Sequence, residues 1–285
     1  MSRSLLFVPG DSERKFASAC SSTADALILD LEDSVSPDQK GNALALTRQF
    51  LKSAPPAKDI WVRINALDSG RALEDLAGIV PLQPFGVVLP KCAGRAGLLQ
   101  LAHYLDAIEA CSGTPRGKTR ILAIMTETAE AIFRAGEYKA VTERLWGLSW
   151  GAEDLAADIA AEDNRVAGRY TEPFRLARSL CLFAAAAARV RAVDTVCVDL
   201  NDADVLNDET CEARRDGFSA KMVIHPRHVN TVNDVFTPTE EQLRWAHSVV
   251  AAFDGSPNAG ALNLDGKMID MPHLRLARRL LGKEL

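Results

Sequence analysis

The sequence predicts a TIM (β/α)8 barrel with a C-terminal helical or lid extension. Eight short apolar segments rich in β-branched residues recur between Leu5 and Ile224, and stretches with helical periodicity separate most of them. Because these segments are nearly continuous apolar runs, we expect a parallel sheet that is buried on both faces. The predicted strands are Leu5–Val8, Ala26–Leu29, Ile60–Ile64, Val87–Leu89, Ile121–Met125, Leu145–Ser149, Thr195–Val198 and Met222–Ile224.

The number and spacing of these units favour a closed barrel over an open sheet. Eight β/α units in about 230 residues fit the usual barrel length, and closure leaves no edge strand to protect. A doubly wound open sheet is the alternative. The predicted helices between the strands include Ala43–Leu51, Arg71–Ile79, Gly97–Ala110, Thr171–Val190 and Asp208–Arg215.

The segment after the eighth predicted strand has a different organisation. A helix is expected over Thr239–Phe253, followed by a break rich in Gly, Pro and Asn at Gly255–Gly260 and a final basic helix. We assign residues 1–235 to the barrel and 236–285 to C-terminal helices and a lid segment of the same domain. The lid is expected to cover this barrel or that of a neighbouring subunit.

Composition excludes several classes of protein. The 285 residues carry 33 Lys and Arg against 38 Asp and Glu, a net charge of −5, which opposes nucleic-acid binding. The longest apolar stretch, Leu180–Ala188, is too short to cross a bilayer, and the N-terminus does not resemble a signal peptide. The six cysteines show no C-x-x-C spacing, so we expect reduced, mostly buried thiols in a cytoplasmic protein that binds no membrane.

Acidic residues follow several predicted strands, at the end of a barrel where active sites lie. Carboxylates gathered in one concave site require protons or a cation. Oxygen ligands without supporting Cys or paired His favour Mg²⁺, with Mn²⁺ as the alternative. We predict Glu127 and Asp154, which follow adjacent strands, as the metal ligands. Each acid has a second interpretation, namely that it caps the helix that follows it.

Arg63 lies between the apolar residues Val62 and Ile64. A charge at that position must be paired or must face the mouth of the barrel. A guanidinium there suits a substrate carboxylate or a developing enolate oxygen. The alternative is an internal salt bridge with Asp30, Glu32 or Asp33, and both interpretations are compatible. Asn65 would add a hydrogen bond or close a turn.

Other polar residues carry weaker signals. Arg14 and Lys15 open the first β/α loop, where they would meet a phosphate or remain solvated. Lys91 is interpreted as a salt-bridge or phosphate partner rather than a Schiff-base lysine, and His225 as a packed, hydrogen-bonded histidine. Asp270 precedes a helix that begins with Pro, so it caps that helix or, on a closing lid, acts as a general acid or base.

An ordered series of short motifs spans almost the whole chain. They are Arg3–Gly10 (RSLLFVPG), Asp25–Val35 (DALILDLEDSV), Trp61–Asn65 (WVRIN), Glu127–Thr128 (ET), Trp150–Leu155 (WGAEDL), Ile224–Pro226 (IHP) and Asp265–Asp270 (DGKMID). In this series the chain resembles the citrate lyase beta-chain-like family of the HpcH/HpaI 2-oxo-acid aldolase superfamily. Ala160 and Ala220 depart from it, since many relatives have Gly at these two positions.

The resemblance implies an Mg²⁺-dependent lyase on a TIM barrel, assembled as a homotrimer or hexamer. Its relatives cleave or form a carbon–carbon bond in 3-hydroxyacyl thioesters such as malyl-, citramalyl- or citryl-CoA, which yields a 2-oxo acid and an acyl-CoA. The alternatives are a malyl-CoA thioesterase that uses the same metal site, a citrate lyase beta subunit that acts on an acyl carrier protein, and a non-catalytic scaffold.

The resemblance also implies roles for individual residues. Arg63 takes the place of the arginine that contacts the substrate, while Glu127 and Asp154 take the places of the metal ligands. Asp270 corresponds to the lid aspartate that transfers a proton. Two acids, Glu32 and Asp33, fall in the rim position that supports the metal site. Two basic residues, Arg14 and Lys15, lie in the loop that meets CoA. Asp33 is therefore included among the candidate catalytic residues.

Overall fold

A computed structural model describes residues 2–53 and 58–283 of the chain. Its central feature is a closed barrel of eight strands in the order β1-β10-β9-β6-β5-β4-β3-β2, and every neighbouring pair is parallel. The predicted TIM barrel is confirmed. The barrel strands are β1 (Ser4–Pro9), β2 (Ala26–Asp30), β3 (Asp59–Arg63), β4 (Gly86–Leu89), β5 (Arg120–Ile124), β6 (Leu145–Ser149), β9 (Arg191–Asp194) and β10 (Ala220–Val223).

Helices surround the strands, and a two-stranded hairpin interrupts the connection from β6 to β9. The hairpin consists of β7 (Arg165–Val166) and β8 (Arg169–Tyr170). The helices are α1 (Glu13–Cys20), α2 (Lys40–Ser53), α3 (Ala72–Ile79), α4 (Gly94–Ser112), α5 (Ala129–Phe133), α6 (Ala152–Asp158), α7 (Glu172–Ala188), α8 (Ala203–Asp216) and α9 (Val229–Phe236).

The predicted seventh strand, Thr195–Val198, is wrong. The barrel strand at this point is β9, which ends at Asp194, and Thr195–Val198 lies in the loop after it. The apolar-run criterion missed β9 because that strand begins and ends with a charged residue. Asp194 is buried and pairs with Lys221 of β10 at 2.7 Å, so its charge is compensated inside the protein. Asp199 consequently lies in an exposed loop and not at a strand end.

Apolar side chains fill the barrel and also separate it from the helices. Alternate residues of a strand point to opposite faces, so each strand supplies both an inner and an outer layer. The outer layer packs against the helices and contains the larger apolar cluster. The second apolar cluster fills the barrel interior, as expected for a barrel of eight strands. The buried residues of the second cluster are Leu5, Ala26, Ile28, Trp61, Val88, Leu122, Ile124, Val193, Ala220 and Met222.

The chain divides into two compact units, one up to Phe236 and one from Thr237 onward. In the second unit, α10 (Glu240–Asp254) and α11 (Met271–Leu280) flank an antiparallel hairpin of β11 (Ala261–Leu264) and β12 (Lys267–Asp270). The predicted helix at 239–253 and the final basic helix are confirmed. The assignment of both units to one domain stays a prediction. Within the described part of the chain, every helix is too short or too polar for a membrane span.

Candidate active site

A cavity of about 270 Å³ opens at the carboxyl ends of the barrel strands. It brings together Arg63, Glu127 and Asp154, three residues that are far apart in the sequence. This is the end of the barrel at which the sequence places the site. The residues that line the cavity are Phe7, Pro9, Asp30, Ser34, Arg63, Ile124, Glu127, Trp150, Gly151, Ala152, Glu153, Asp154, Thr195, Val196, Met222 and Ile224.

Arg63, at the end of β3, is held by a two-point contact with Asp30 at the end of β2. Its Nε and Nη2 groups donate to the two oxygens of Asp30 at 2.6 and 2.7 Å. The backbone N–H groups of Glu32 and Ser34 also donate to Asp30, at 2.9 and 3.0 Å. Burial opposes ionisation of Asp30, but the hydrogen bonds and charge of Arg63 outweigh it and lower the pKa of that carboxyl. The internal salt bridge considered for Arg63 is confirmed, and the arginine still lines the cavity.

Two further carboxylates of the β2 loop surround the guanidinium. Arg63 Nη1 lies 3.1 Å from Glu32 Oε2 and 3.7 Å from Asp33 Oδ2. Glu32 is buried, and its Oε2 lacks a directional hydrogen bond, so the contact with Arg63 is a charge contact. Burial raises the pKa of Glu32 despite the attraction of Arg63. Asp33 is half exposed at the rim.

Glu127 follows β5 and is buried, with only 2% of its surface exposed. Its Oε2 accepts a hydrogen bond from the backbone N–H of Lys91 at 2.5 Å. Burial, together with the charge of Asp154, raises the pKa of Glu127 to about 8. The helix-capping interpretation of Glu127 is wrong, because Thr128 caps α5 through a hydrogen bond to the N–H of Ala131. Glu127 therefore lies in the cavity without a role in the helix end.

Asp154 lies in the first turn of α6, so it does face the positive end of a helix dipole. Its side chain is 30% exposed and lines the same cavity as Glu127. In the described residues, no group of three or more His, Cys, Asp and Glu side chains gathers as a metal site. A pair of carboxylates suffices for Mg²⁺, which commonly takes one or two from the protein and the rest from water and substrate. Glu127 is buried and needs a proton or a cation to be stable, so it is suited to bind Mg²⁺.

Lys91, in the loop after β4, connects the two sides of the cavity. Its Nζ lies 2.6 Å from Glu32 Oε1 and 3.2 Å from Asp154 Oδ1. Burial favours the neutral amine, but the hydrogen bond and charge of Glu32 prevail and raise the pKa of Lys91. The lysine is thus protonated, which confirms the salt-bridge interpretation and opposes a Schiff-base role. The sequence did not indicate that its backbone N–H binds Glu127.

The remaining predicted residues lie outside the cavity lining. Arg14 and Lys15 are exposed in the first turn of α1, and a role in binding CoA stays a prediction. His225 is half-buried, and its Nδ1 accepts a hydrogen bond from the N–H of Arg227, as expected for a packed histidine. Asn65 makes two hydrogen bonds to Asp75 of α3, as one of its two interpretations expects, and does not line the cavity.

The cysteines divide evenly between interior and surface. Cys92, Cys181 and Cys197 are buried, and the other three are exposed. Burial raises the pKa of the Cys92 thiol to about 12, so this thiol remains protonated although it lies beside Lys91. The expectation of mostly core thiols is therefore correct for only half of them.

Asp270 belongs to the C-terminal unit, where it begins α11. Its backbone N–H donates to His273 Nδ1 at 3.2 Å, and its carboxylate lies 2.5 Å from the same nitrogen. Asp270 is the N-cap of α11 and forms a capping box with His273, the third residue of the helix, so the helix-capping interpretation is confirmed. The role of Asp270 in proton transfer stays a prediction.

A second buried polar pair supports the cavity wall and was missed from the sequence. Trp150 lines the cavity and donates its indole N–H to Asp194 at 2.8 Å, and Asp194 in turn pairs with Lys221. Lys221 interrupts the otherwise apolar strand β10, and this interruption is the signal that would have identified it, whereas Asp194 ends β9.

Known proteins are similar to this chain over nearly its full length. The family model described as HpcH/HpaI aldolase/citrate lyase matches residues 3–226. The chain is 34% identical to citrate lyase subunit beta of Escherichia coli strain K12, over 99% of this chain and 92% of that protein. It is 32% identical to (3S)-malyl-CoA thioesterase of Cereibacter sphaeroides, over 99% of this chain and 94% of that protein.

A solved structure shares the fold as well as the sequence. CitE of Mycobacterium tuberculosis, in complex with magnesium, acetoacetate and coenzyme A, superposes with a TM-score of 0.78 at 35% identity. The match covers 99% of this chain and 97% of CitE. From the barrel, the cavity and these similarities we conclude that the chain belongs to the HpcH/HpaI aldolase/citrate lyase family and is a carbon–carbon lyase.

Proposed function

We propose that this lyase cleaves, or in reverse forms, a 3-hydroxyacyl-CoA thioester such as malyl-, citramalyl- or citryl-CoA, with a 2-oxo acid and an acyl-CoA as products. One observation carries the proposal: the buried carboxyl of Glu127 lies with Asp154 and Arg63 around one cavity. The magnesium, acetoacetate and coenzyme A bound to CitE support the same ligand classes.

Glu127 and Asp154 would hold Mg²⁺. The bound ion would supply Lewis-acid stabilisation to the oxygens of the 2-hydroxy-acid end of the substrate. Glu127 meets the requirement for such a ligand because burial strongly disfavours its charge until a cation is present. Asp154, which is partly exposed, leaves the cavity open to the substrate.

Arg63 would bind the negative oxygen that forms during cleavage. Its Nε and one Nη2 hydrogen are occupied by Asp30, so the guanidinium plane has a fixed orientation. Five N–H donors are available in an arginine, and those that remain can serve a carboxylate or enolate oxygen in the cavity. A donor that is already oriented before the reaction requires no reorganisation when charge develops.

Proton transfer to or from the acyl carbon is assigned to Asp270. It would act when the C-terminal unit covers a barrel, either its own or that of a neighbour in a homotrimer or hexamer. Asp33, half exposed at the rim beside Arg63, would support the metal site. Arg14 and Lys15 would meet the phosphates of CoA in the first loop.

Hydrolysis of malyl-CoA at the same site is the second candidate, because a (3S)-malyl-CoA thioesterase is 32% identical to the chain over almost its full length. In that reaction, water attacks the thioester and the carbon–carbon bond stays intact. The same residues would bind the substrate, so the two reactions differ in their products and not in the ligands of the site.

The test is to incubate the purified protein with malyl-, citramalyl- and citryl-CoA, with Mg²⁺ or with EDTA, while 2-oxo acid and free thiol are measured in parallel. We expect Mg²⁺-dependent release of 2-oxo acid without free thiol. Free thiol without 2-oxo acid would establish the thioesterase. If neither product forms from any of the three substrates while Mg²⁺ is bound, the substrate would be an acyl-carrier-protein thioester.

Glu127→Ala provides the matched variant. We expect it to lose all Mg²⁺-dependent turnover and to keep its circular dichroism spectrum, since the barrel core does not depend on this carboxyl. Glu130→Ala, an exposed acid three residues away in α5, serves as the control and should retain activity. Unchanged turnover in Glu127→Ala would remove Glu127 from the metal site.

A further inference from the structure

Lys91 contacts both proposed metal ligands. Its backbone N–H binds Glu127, and its ammonium group lies 3.2 Å from Asp154. The same ammonium lies 2.6 Å from Glu32 and 3.9 Å from Asp33. One lysine thus joins the loops after β2, β4 and β5 to the first turn of α6 at the mouth of the barrel.

The charges at this mouth do not balance. Arg63 pairs with Asp30 and also lies near Glu32 and Asp33. The ammonium of Lys91 lies within 4 Å of Glu32, Asp33 and Asp154, so the carboxylates in these contacts outnumber the two cations. Like charges that cannot reach bulk water raise the free energy of a site. The ammonium therefore supplies part of the positive charge that a divalent ion would supply in full.

The backbone keeps Lys91 in this place. Its φ angle is 51°, in the left-handed region that side chains rarely adopt. The next residue, Cys92, donates its N–H to the carbonyl of Ile124 at 3.0 Å, which ties the loop to β5. The ammonium is only partly exposed, with 32% of the side chain accessible. A fixed and partly buried cation interacts with its neighbours more strongly than a surface lysine does.

We propose that Lys91 is a positioning residue and an internal counterion, which holds Asp154 in the absence of Mg²⁺ and competes with Mg²⁺ for that carboxylate. The inference rests on the proposed function, in which Glu127 and Asp154 hold the ion. Loss of the ammonium should tighten the binding of Mg²⁺ and destabilise the metal-free protein.

The experiment compares wild type with Lys91→Met, which keeps the length of the side chain and removes its charge. Mg²⁺ binding is measured by isothermal titration calorimetry, and thermal unfolding is measured in EDTA and in Mg²⁺. We expect the dissociation constant for Mg²⁺ to fall about 1.5- to fivefold, the range that one partly screened charge contact is worth. We also expect a lower Tm in EDTA and a larger rise of Tm on addition of Mg²⁺.

Three further variants make the result specific. Lys91→Gln, a second neutral variant, should change the affinity in the same direction as Lys91→Met. Lys91→Arg keeps the charge and should remain close to wild type. Lys139→Met removes an exposed lysine after α5 and should change neither the affinity nor the Tm.

Equal or weaker Mg²⁺ binding in both neutral variants, with normal binding in wild type, overturns the counterion role and leaves the proposed function intact. Absence of Mg²⁺ binding in wild type overturns both. Tighter binding in the neutral variants together with an unchanged Lys91→Arg supports the proposal, since a merely structural lysine would not tighten metal binding when removed.

Discussion

Gly151 lies directly against the side chain of Glu127. A Cβ atom on Gly151 would lie 2.6 Å from Glu127 Cγ, closer than real Cβ contacts allow. Gly151 has φ −125° and ψ 123°, an extended conformation that any residue adopts. The glycine is therefore required for space and not for backbone freedom. Its absent side chain is what allows Glu127 to occupy the wall of the cavity.

Gly151→Ala should displace Glu127 and weaken the site. Forcing a methyl group into a packed position costs about 1–3 kcal/mol, and the displaced carboxylate would lower the affinity for Mg²⁺ about tenfold. Calorimetry with Mg²⁺ and thermal unfolding measure both effects. Gly136→Ala, where a Cβ meets nothing within 4 Å, is the matched control and should change neither. Wild-type affinity in Gly151→Ala would show that Glu127 does not need this space.

The stability of the metal-free protein should depend on pH through Glu127. Its pKa rises from an ordinary 4.5 to about 8 in the folded chain, so the folded state binds the proton more tightly than the unfolded state. The resulting stability is complete below pH 4.5 and is lost as the pH rises toward 8. The loss amounts to at most about 1.4 kcal/mol per pH unit for one group.

The measurement is denaturant unfolding in EDTA between pH 5 and 8, for wild type and Glu127→Gln. The difference in the free energy of unfolding between them should fall with pH, because Gln does not titrate. Other groups contribute equally to both proteins and cancel. A difference that is independent of pH, or that grows as the pH rises, contradicts the raised pKa of Glu127.

Arg63→Lys should impair catalysis more than folding. A lysine offers one charged centre and cannot reproduce the two-point contact with Asp30, so the cationic group loses its fixed orientation. Loss of one oriented donor typically lowers kcat by about 10²–10³. Steady-state kinetics with the best of the three thioesters measures the effect. Arg134→Lys, in an exposed pair with Glu130, is the control, and equal kinetics in both variants would refute the role of Arg63.

Asp270→Asn separates the two interpretations of Asp270. Asn caps a helix about as well as Asp, so the Tm should stay within a few degrees of wild type. Asn cannot transfer the proton, so kcat should fall about 10²–10⁴-fold. Asp265→Asn, in the turn of the neighbouring hairpin where φ is 51°, provides the control in the same unit. If kcat is unchanged, Asp270 is a helix cap alone.

Ala160 adopts a backbone conformation that favours glycine, with φ 53°. This is one of the two positions at which the sequence departs from the glycine of many relatives. Ala160→Gly should remove the strain and stabilise the protein by about 0.5–1 kcal/mol, measured by denaturant unfolding. Ala157→Gly, in the last turn of α6, should destabilise the protein because glycine is a poorer helix former than alanine. A loss of stability in Ala160→Gly would show that the backbone at Ala160 is not strained.

The sequence by itself was sufficient for the barrel and for the main charged residues of the cavity. Seven of the eight predicted strands overlap barrel strands because the apolar runs that bury both faces of a parallel strand are local patterns. Arg63, Glu127 and Asp154 follow from the rule that strand ends meet at one end of a barrel. Applying that rule requires only the positions in the sequence at which strands end, and no distance between atoms.

Only the tertiary structure decided which charges are partners. The seventh barrel strand, β9, was missed because it ends in Asp194, whose charge is neutralised by Lys221, a residue that lies 27 positions later in the chain. The contact of Lys91 with Glu32 spans 59 positions, and that with Glu127 spans 36. A charge in a sequence carries no mark of its partner, because the free energy of a buried charge is set by the distances that folding creates.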